Sequence, residues 1–211
     1  MKINLQERWH ELIARFTAKD GNFEYRQIST YYQSAGRYYH NPSHLQHIFA
    51  TFDSLNLTLP ADETAIIEFS AWFHDIIYDP KAKDNEERSA ELAAQILTTL
   101  EIPQPVILAT HQIILDTKRH QASSESLPNL LFLDLDLAIL GAPVPVYAQY
   151  CQNIRLEYSW VSESDYQTGR LNVLQNFNQR AKIYFTDVMH HKYDATARQN
   201  LEREIAWLKK S

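Results

Sequence analysis

An all-α fold is what this sequence predicts, and three observations carry the prediction. Glycine occurs four times in 211 residues, hydrophobic residues make up 45% of the chain, and long stretches are free of helix breakers. Such stretches show apolar residues at helical rather than alternating spacing. The periodicity predicts a first helix over about 3–18, a loop around Asp20-Gly21-Asn22 and a second helix over about 24–36. In His40-Asn41-Pro42-Ser43-His44, Asn41 suits an N-cap and Pro42 the first helical position. The helix that follows carries Leu45, Ile48, Phe49, Phe52 and Leu55 on one face. An apolar helix is expected over 63–78, ending near Asp79-Pro80. Asp84-Asn85-Glu86-Glu87 has capping-box spacing and opens a helix to about Leu100. Pro103 and Pro105 lead into a helix to about Thr117, and a polar loop spans 120–126. The apolar segment Leu130–Leu140 closes at Gly141, read as a C-cap. Further helices are expected after Pro143 and Pro145 to about Val161, then over 164–185 and 194–209. No repeat or linker divides the chain, so one domain over 1–211 is expected.

Charge and composition exclude several functions. A net charge of −6 argues against a nucleic-acid binder, which normally shows a basic face. One cysteine, Cys151, permits no internal disulfide and fits a reducing, cytoplasmic setting. Neither an apolar leader nor an apolar run long enough to span a bilayer is read, so no membrane partner is expected.

The pair His74-Asp75 is the most informative local feature. It is read as lying in the middle of the apolar helix around Phe69-Ser70-Ala71-Trp72-Phe73. A carboxylate there costs several kcal/mol unless neutralised, either by an Arg or Lys partner or by a bound cation. The adjacent imidazole favours the cation, because nitrogen and carboxylate oxygen form a common mixed ligand set. On the helix beginning at Pro42, His44 falls at the edge of the apolar face, His47 on the opposite polar side, and His40 ahead of the helix. A second inward acid appears in Leu133-Asp134-Leu135-Asp136-Leu137, where the two aspartates diverge by about 200° and one metal reaches only one of them directly.

Taken together, Tyr39-His40-Asn41-Pro42-Ser43-His44, Phe73-His74-Asp75-Ile76-Ile77 and Leu133-Asp134-Leu135-Asp136 resemble the motifs of the HD superfamily of metal-dependent phosphohydrolases. The resemblance covers about 36–141. Ile154-Arg155-Leu156-Glu157-Tyr158 and Gly169-Arg170-Leu171 look like a bacterial subgroup whose members carry only a predicted activity. It implies an HD-domain helical bundle with additional C-terminal helices over about 144–209. It also implies a metal held by His44, His74, Asp75 and Asp136, the second acid of the Asp-x-Asp pair being the usual ligand. An N2O2 set of this kind suits Mn²⁺, Fe²⁺, Co²⁺, Ni²⁺ or Mg²⁺ and accepts Zn²⁺. The implied activity is hydrolysis of a phosphoester or phosphoanhydride in a small nucleotide-like substrate.

Phosphoryl transfer needs cations beside the metal. Lys81, Lys83 and Arg170 are the substrate-binding candidates, with Lys118 and Arg119 as further cations. Asp79 lies four residues beyond Asp75, on the same face if the helix persists, and is a candidate to orient a water. Relatives that hydrolyse guanosine tetraphosphate alarmones carry Glu-Asp at this point, whereas this chain has Tyr78-Asp79, which weakens that substrate. His120 stands where some HD proteins place an auxiliary histidine, and His111 is a further candidate. With both recruited, the site resembles that of HD-type diiron oxygenases. A non-catalytic nucleotide- or metal-binding regulatory module is the other alternative. A small phosphorylated substrate is the expected partner, and a homodimer is left open.

Overall fold

In the computed structural model, which describes residues 3–210, ten α-helices and one 3₁₀ turn make up the fold, and the described residues contain no strand. In chain order the helices are α1 Leu5–Ile13, α2 Asn22–Tyr32, α3 Pro42–Asp53, α4 Ala61–Phe73 and α5 Asn85–Thr99. They continue with α6 Gln104–Thr117, α7 Leu127–Asp136, the 3₁₀ turn Leu137–Gly141, α8 Val144–Glu157, α9 Glu163–Asn178 and α10 Asp187–Leu208. The all-α expectation is met. Among the described residues no single helix is long and apolar enough to cross a membrane.

Helix α4 is the axis of the structure. Ala65, Ile67, Phe69, Ala71, Trp72 and Phe73 are all buried, so it meets neighbours on nearly every side, as its unbroken apolar sequence requires. It packs against α3, α5, α6 and α7. Trp9 of α1 meets Phe69, Trp72 and Phe73 edge-on at 5.5–6.3 Å between ring centres, the arrangement that aligns ring edge with ring face. The same core continues to Leu201 and Leu208 of α10, so one hydrophobic cluster joins the two ends of the chain.

Local signals set several boundaries. Asn41 caps α3, its side chain accepting from Ser43 N at 2.8 Å, and Pro42 opens the helix. Gly21 has φ +63°, a conformation that favours glycine, and Trp9 Nε1 donates to its carbonyl at 2.9 Å.

Helices α1, α2 and α8 end earlier than the sequence expectation, at Ile13, Tyr32 and Glu157, and four other boundaries or caps differ from it for a tertiary reason. Helix α4 stops at Phe73, so His74 and Asp75 stand at its C-terminal end rather than mid-helix. Arg37, from the loop before α3, donates to the carbonyls of Asp75 and Ile76 at 2.7 Å each and satisfies groups that a longer helix would have paired internally. The capping box at Asp84 does not form: Asp84 makes no side-chain cap, and Glu87 instead pairs with Lys118. Gly141 is no left-handed cap; a Cβ there would lie 2.7 Å from Tyr193 Cβ, so glycine lets α10 approach the 3₁₀ turn. Finally, α9 ends at Asn178 and α10 begins at Asp187. Between them, Asp134 of α7 accepts from Phe185 N at 2.6 Å and from Thr186 N at 2.7 Å, and so fixes the start of α10 from a distance.

Candidate metal centre

Five helix ends converge on one point. His44 comes from the first turn of α3, His74 and Asp75 from the C-terminal end of α4, and Asp136 is the last residue of α7. His120 follows α6 and Glu157 closes α8. A helix end leaves backbone groups unpaired and lets the chain turn, so each element presents a short polar stretch to the centre while its body stays apolar.

The distances define a compact donor set. His44 Nε2 lies 3.1 Å from His74 Nε2, 3.3 Å from Asp136 Oδ1 and 3.8 Å from Asp75 Oδ2. His74 Nε2 lies 3.0 Å from Asp75 Oδ2 and 3.5 Å from Asp136 Oδ1. Ligands about 2.1 Å from one ion sit about 3.0 Å apart at neighbouring octahedral positions and about 3.4 Å apart in a tetrahedron. The set therefore has the size of a coordination shell. His44, His74 and Asp75 form a group able to hold a metal ion, and Asp136 closes against both imidazoles. His74 Nδ1 donates to Ala71 O at 3.0 Å, which turns Nε2 toward the carboxylates.

No lysine or arginine among the described residues pairs with Asp75 or Asp136; their ion-pair partners are histidines. Of the two remedies for buried charge that the sequence leaves open, the cationic side chain is thus missing. Without an ion, the imidazoles carry the compensation. Burial disfavours a charged His74, but Asp75 and Asp136 outweigh it and raise its pKa well above the usual histidine value. Burial likewise works against ionised Asp75 and Asp136. His74, helped by His40 at Asp75 and His44 at Asp136, holds both below the usual carboxylate range. Such a set would take up a divalent ion in exchange for protons.

Two residues outside the candidates join the site. His40 directs Nε2 toward Asp75 Oδ2 at 3.8 Å, while its Nδ1 contacts Glu157 Oε2 at 2.7 Å. Glu157 is buried and fully engaged: it also accepts from Tyr39 N, His40 N and the Tyr78 hydroxyl at 2.7–3.0 Å. The Tyr78 ring stacks on His40 at 4.1 Å, leaving the imidazole one orientation. His40 falls ahead of its helix and Glu157 lies 117 residues away, so helical-face reasoning paired neither with the site. The available signal was Glu157 three residues after Ile154, on the helix face that also carries Tyr147. His47 is half-buried rather than fully on a polar face, and burial lowers its pKa to about 4.

The other candidates divide. His120 lines the cavity beside the centre, with Nε2 3.6 Å from Asp136 Oδ2 and backbone φ +46°. Arg170 and Lys83 also line it. Asp79 and Lys81 do not: α4 has already ended, and exposed Asp79 accepts from Lys81 N at 2.9 Å in a turn. Lys81 sits over the Trp160 ring at 5.3 Å. His111 of α6 is not among the lining residues. Asp134 is occupied at the start of α10, leaving Asp136 for the centre.

In comparisons with known proteins, no family model, no curated protein and no solved structure matches this chain.

Proposed function

We propose that this chain is a metal-dependent phosphohydrolase of the HD type, acting on a small phosphorylated substrate. One observation carries the reading. Two half-buried carboxylates each lie 3.0–3.8 Å from the same two imidazole nitrogens, and among the described residues no lysine or arginine pairs with either. A divalent ion held by His44, His74, Asp75 and Asp136 would supply Lewis acidity toward a phosphoryl oxygen and a water of lowered pKa. The cavity at the centre, about 840 Å³, has room for a substrate of nucleotide size or larger.

The chain's own groups supply the rest. Hydrolysis forms a bond from water oxygen to phosphorus, breaks the bond to the leaving oxygen, and delivers a proton to that oxygen. His40 is placed for the delivery. Glu157 contacts Nδ1 at 2.7 Å and so turns Nε2 toward the cavity, and its carboxylate favours the protonated ring. His120 Nε2, on the far side of Asp136, is placed to hydrogen-bond a phosphoryl oxygen.

A second reading has one observation in its favour. Asp136 turns Oδ1 to His44 and His74 and Oδ2 to His120, the disposition of a bridging carboxylate, which favours a two-metal centre of the diiron-oxygenase kind. His111 does not line the cavity, which leaves that centre short of a ligand. Elemental analysis of the purified protein beside Asp75→Ala separates the readings. One transition metal per chain, lost in the variant, with phosphate released in Mn²⁺, Co²⁺ or Ni²⁺, is the expected result. Two irons per chain redirect the search to oxygenase substrates, and no metal after reconstitution sinks both.

A further inference from the structure

The cavity beside the metal centre has two unlike walls. One is polar and comes from the start of α5 and the end of α6, with Asn85, Glu86, Thr117 and Lys118. The other comes from the 3₁₀ turn, α8 and α9 and is mostly apolar, with Ile139, Ile154, Leu174 and Phe177. Trp160 and Val173 also line it, yet remain 51% and 45% exposed, large apolar side chains left facing the opening.

Charge able to meet phosphate is scarce. Beside the imidazoles of His40 and His120, three lysine or arginine side chains line the cavity, Lys83, Lys118 and Arg170, and two of these are already matched. Arg170 donates from Nε and Nη2 to Glu204 at 2.8 and 3.1 Å and from Nη1 to the Tyr150 hydroxyl. Lys118 pairs with Glu87 and donates to the Lys83 carbonyl at 2.6 Å. Lys83 alone of the three has no acidic partner among the described residues. Against them stand four lining carboxylates, Asp75, Glu86, Asp136 and Asp165. A divalent ion balances Asp75 and Asp136 and leaves little to neutralise the outer phosphates of a nucleoside triphosphate.

We propose that the cavity takes a single-phosphate amphiphile, with one phosphate head at the His44–His74–Asp75–Asp136 centre and a largely apolar body against α8 and α9. The placement of the head rests on the phosphohydrolase reading; the apolar wall does not. This departs from the nucleotide-like substrate that the family resemblance implies. The test is calorimetric titration of the Mn²⁺-loaded full chain with methyl-, butyl- and octylphosphonate, which carry the head without a cleavable ester, and with ATP. Affinity should rise about threefold per methylene, at least ~30-fold from butyl to octyl, as each added group leaves water for the apolar wall. ATP should bind more weakly than octylphosphonate. Trp160→Ala, at an exposed position that the fold tolerates, should reduce the octyl-to-butyl ratio at least ~3-fold, which ties the effect to this wall. Equal affinity along the series, no binding at all, or ATP tighter than octylphosphonate overturns the proposal. Phosphate release from butyl and octyl phosphate, measured in parallel, keeps the two ideas apart. Chain-length-dependent binding without turnover upholds the amphiphile and sinks the hydrolase, whereas turnover with no chain-length preference does the reverse.

Discussion

Glu68 and Asp75 stand seven residues apart along the same apolar stretch, and the protein treats them in opposite ways. Glu68, in the body of α4, receives Arg8 Nη2 at 2.6 Å and Nε at 3.0 Å, with Arg15 at 3.5 Å on its second oxygen. Arg8 also grips Asp53 of α3 through two hydrogen bonds of 2.8 and 2.9 Å. The planar guanidinium thus ties α1, α3 and α4 together and closes the electrostatics of that region. Asp75, at the end of the helix, has histidines as its ion-pair partners among the described residues. A guanidinium neutralises a buried acid permanently. Imidazoles do so only while protonated, and yield their nitrogens to a metal. The kind of partner separates an acid that is permanently paired from one that stays available to a cation.

Four experiments break or sharpen this contrast, in order of expected effect. Asp75→Ala or Asp136→Ala should abolish metal retention, lower metal-dependent phosphate release by at least ~10³-fold, and also lower metal-free stability, because each carboxylate keeps His74 charged. Elemental analysis, turnover and urea denaturation together check it, and a variant that keeps both metal and activity breaks the assignment. Arg8→Ala should cost about 2–3 kcal/mol in urea denaturation, towards the low end for a buried pair because Arg15 remains, with metal content unchanged. If Arg8→Ala instead lost the metal, the two acids would not be independent. Glu157→Gln should lower kcat about 100-fold by releasing His40 from its fixed orientation, with KM little changed. The loss should be greater for a poor leaving group than for an activated aryl phosphate, since only the former needs the proton; equal losses for both would make Glu157 merely structural.

The smallest effect is in pH. In metal-free protein, His40 and His74 have folded pKa values above the unfolded value of about 6.5, so their stabilisation is present below that pH and lost as pH rises through the folded values. Asp75 and Asp136 are depressed, so their contribution is present above about 3.9 and lost as pH falls through their folded values. Metal-free protein should therefore be most stable at mildly acidic pH and lose several degrees of Tm toward alkaline pH. Saturating Mn²⁺ should remove His74's share of the alkaline loss, because a ligating imidazole must be neutral. Parallel Tm curves with and without Mn²⁺ would mean that metal and protons do not compete at these rings.

Much of the fold was legible in local pattern. Helix spacing, scarce glycine and the Asn41-Pro42 start carried the all-α class and most helices, since these depend on neighbours within a turn or two. His44, His74-Asp75 and the Asp134/Asp136 pair stood out for a related reason, since a polar side chain in an apolar surround needs an explanation, but the ligand set and the choice of Asp136 over Asp134 came from the family resemblance. Asp79 was misplaced because its placement assumed that the helix continues, and the cap that ends it, Arg37, comes from a loop 38 residues upstream of Asp75.

By itself, then, the sequence determined which elements form and which side chains carry unpaid charge, because propensity, periodicity and desolvation act over short distances. Tertiary structure alone decided where the helices stop, that Asp134 fixes the start of α10 while Asp136 enters the site, and that His40 meets Glu157. It also decided that Glu68 finds arginines while Asp75 finds histidines. Those choices turn on which distant groups arrive within about 3–4 Å, a distance at which Coulomb and hydrogen-bond energies in a poorly solvated interior exceed any local preference.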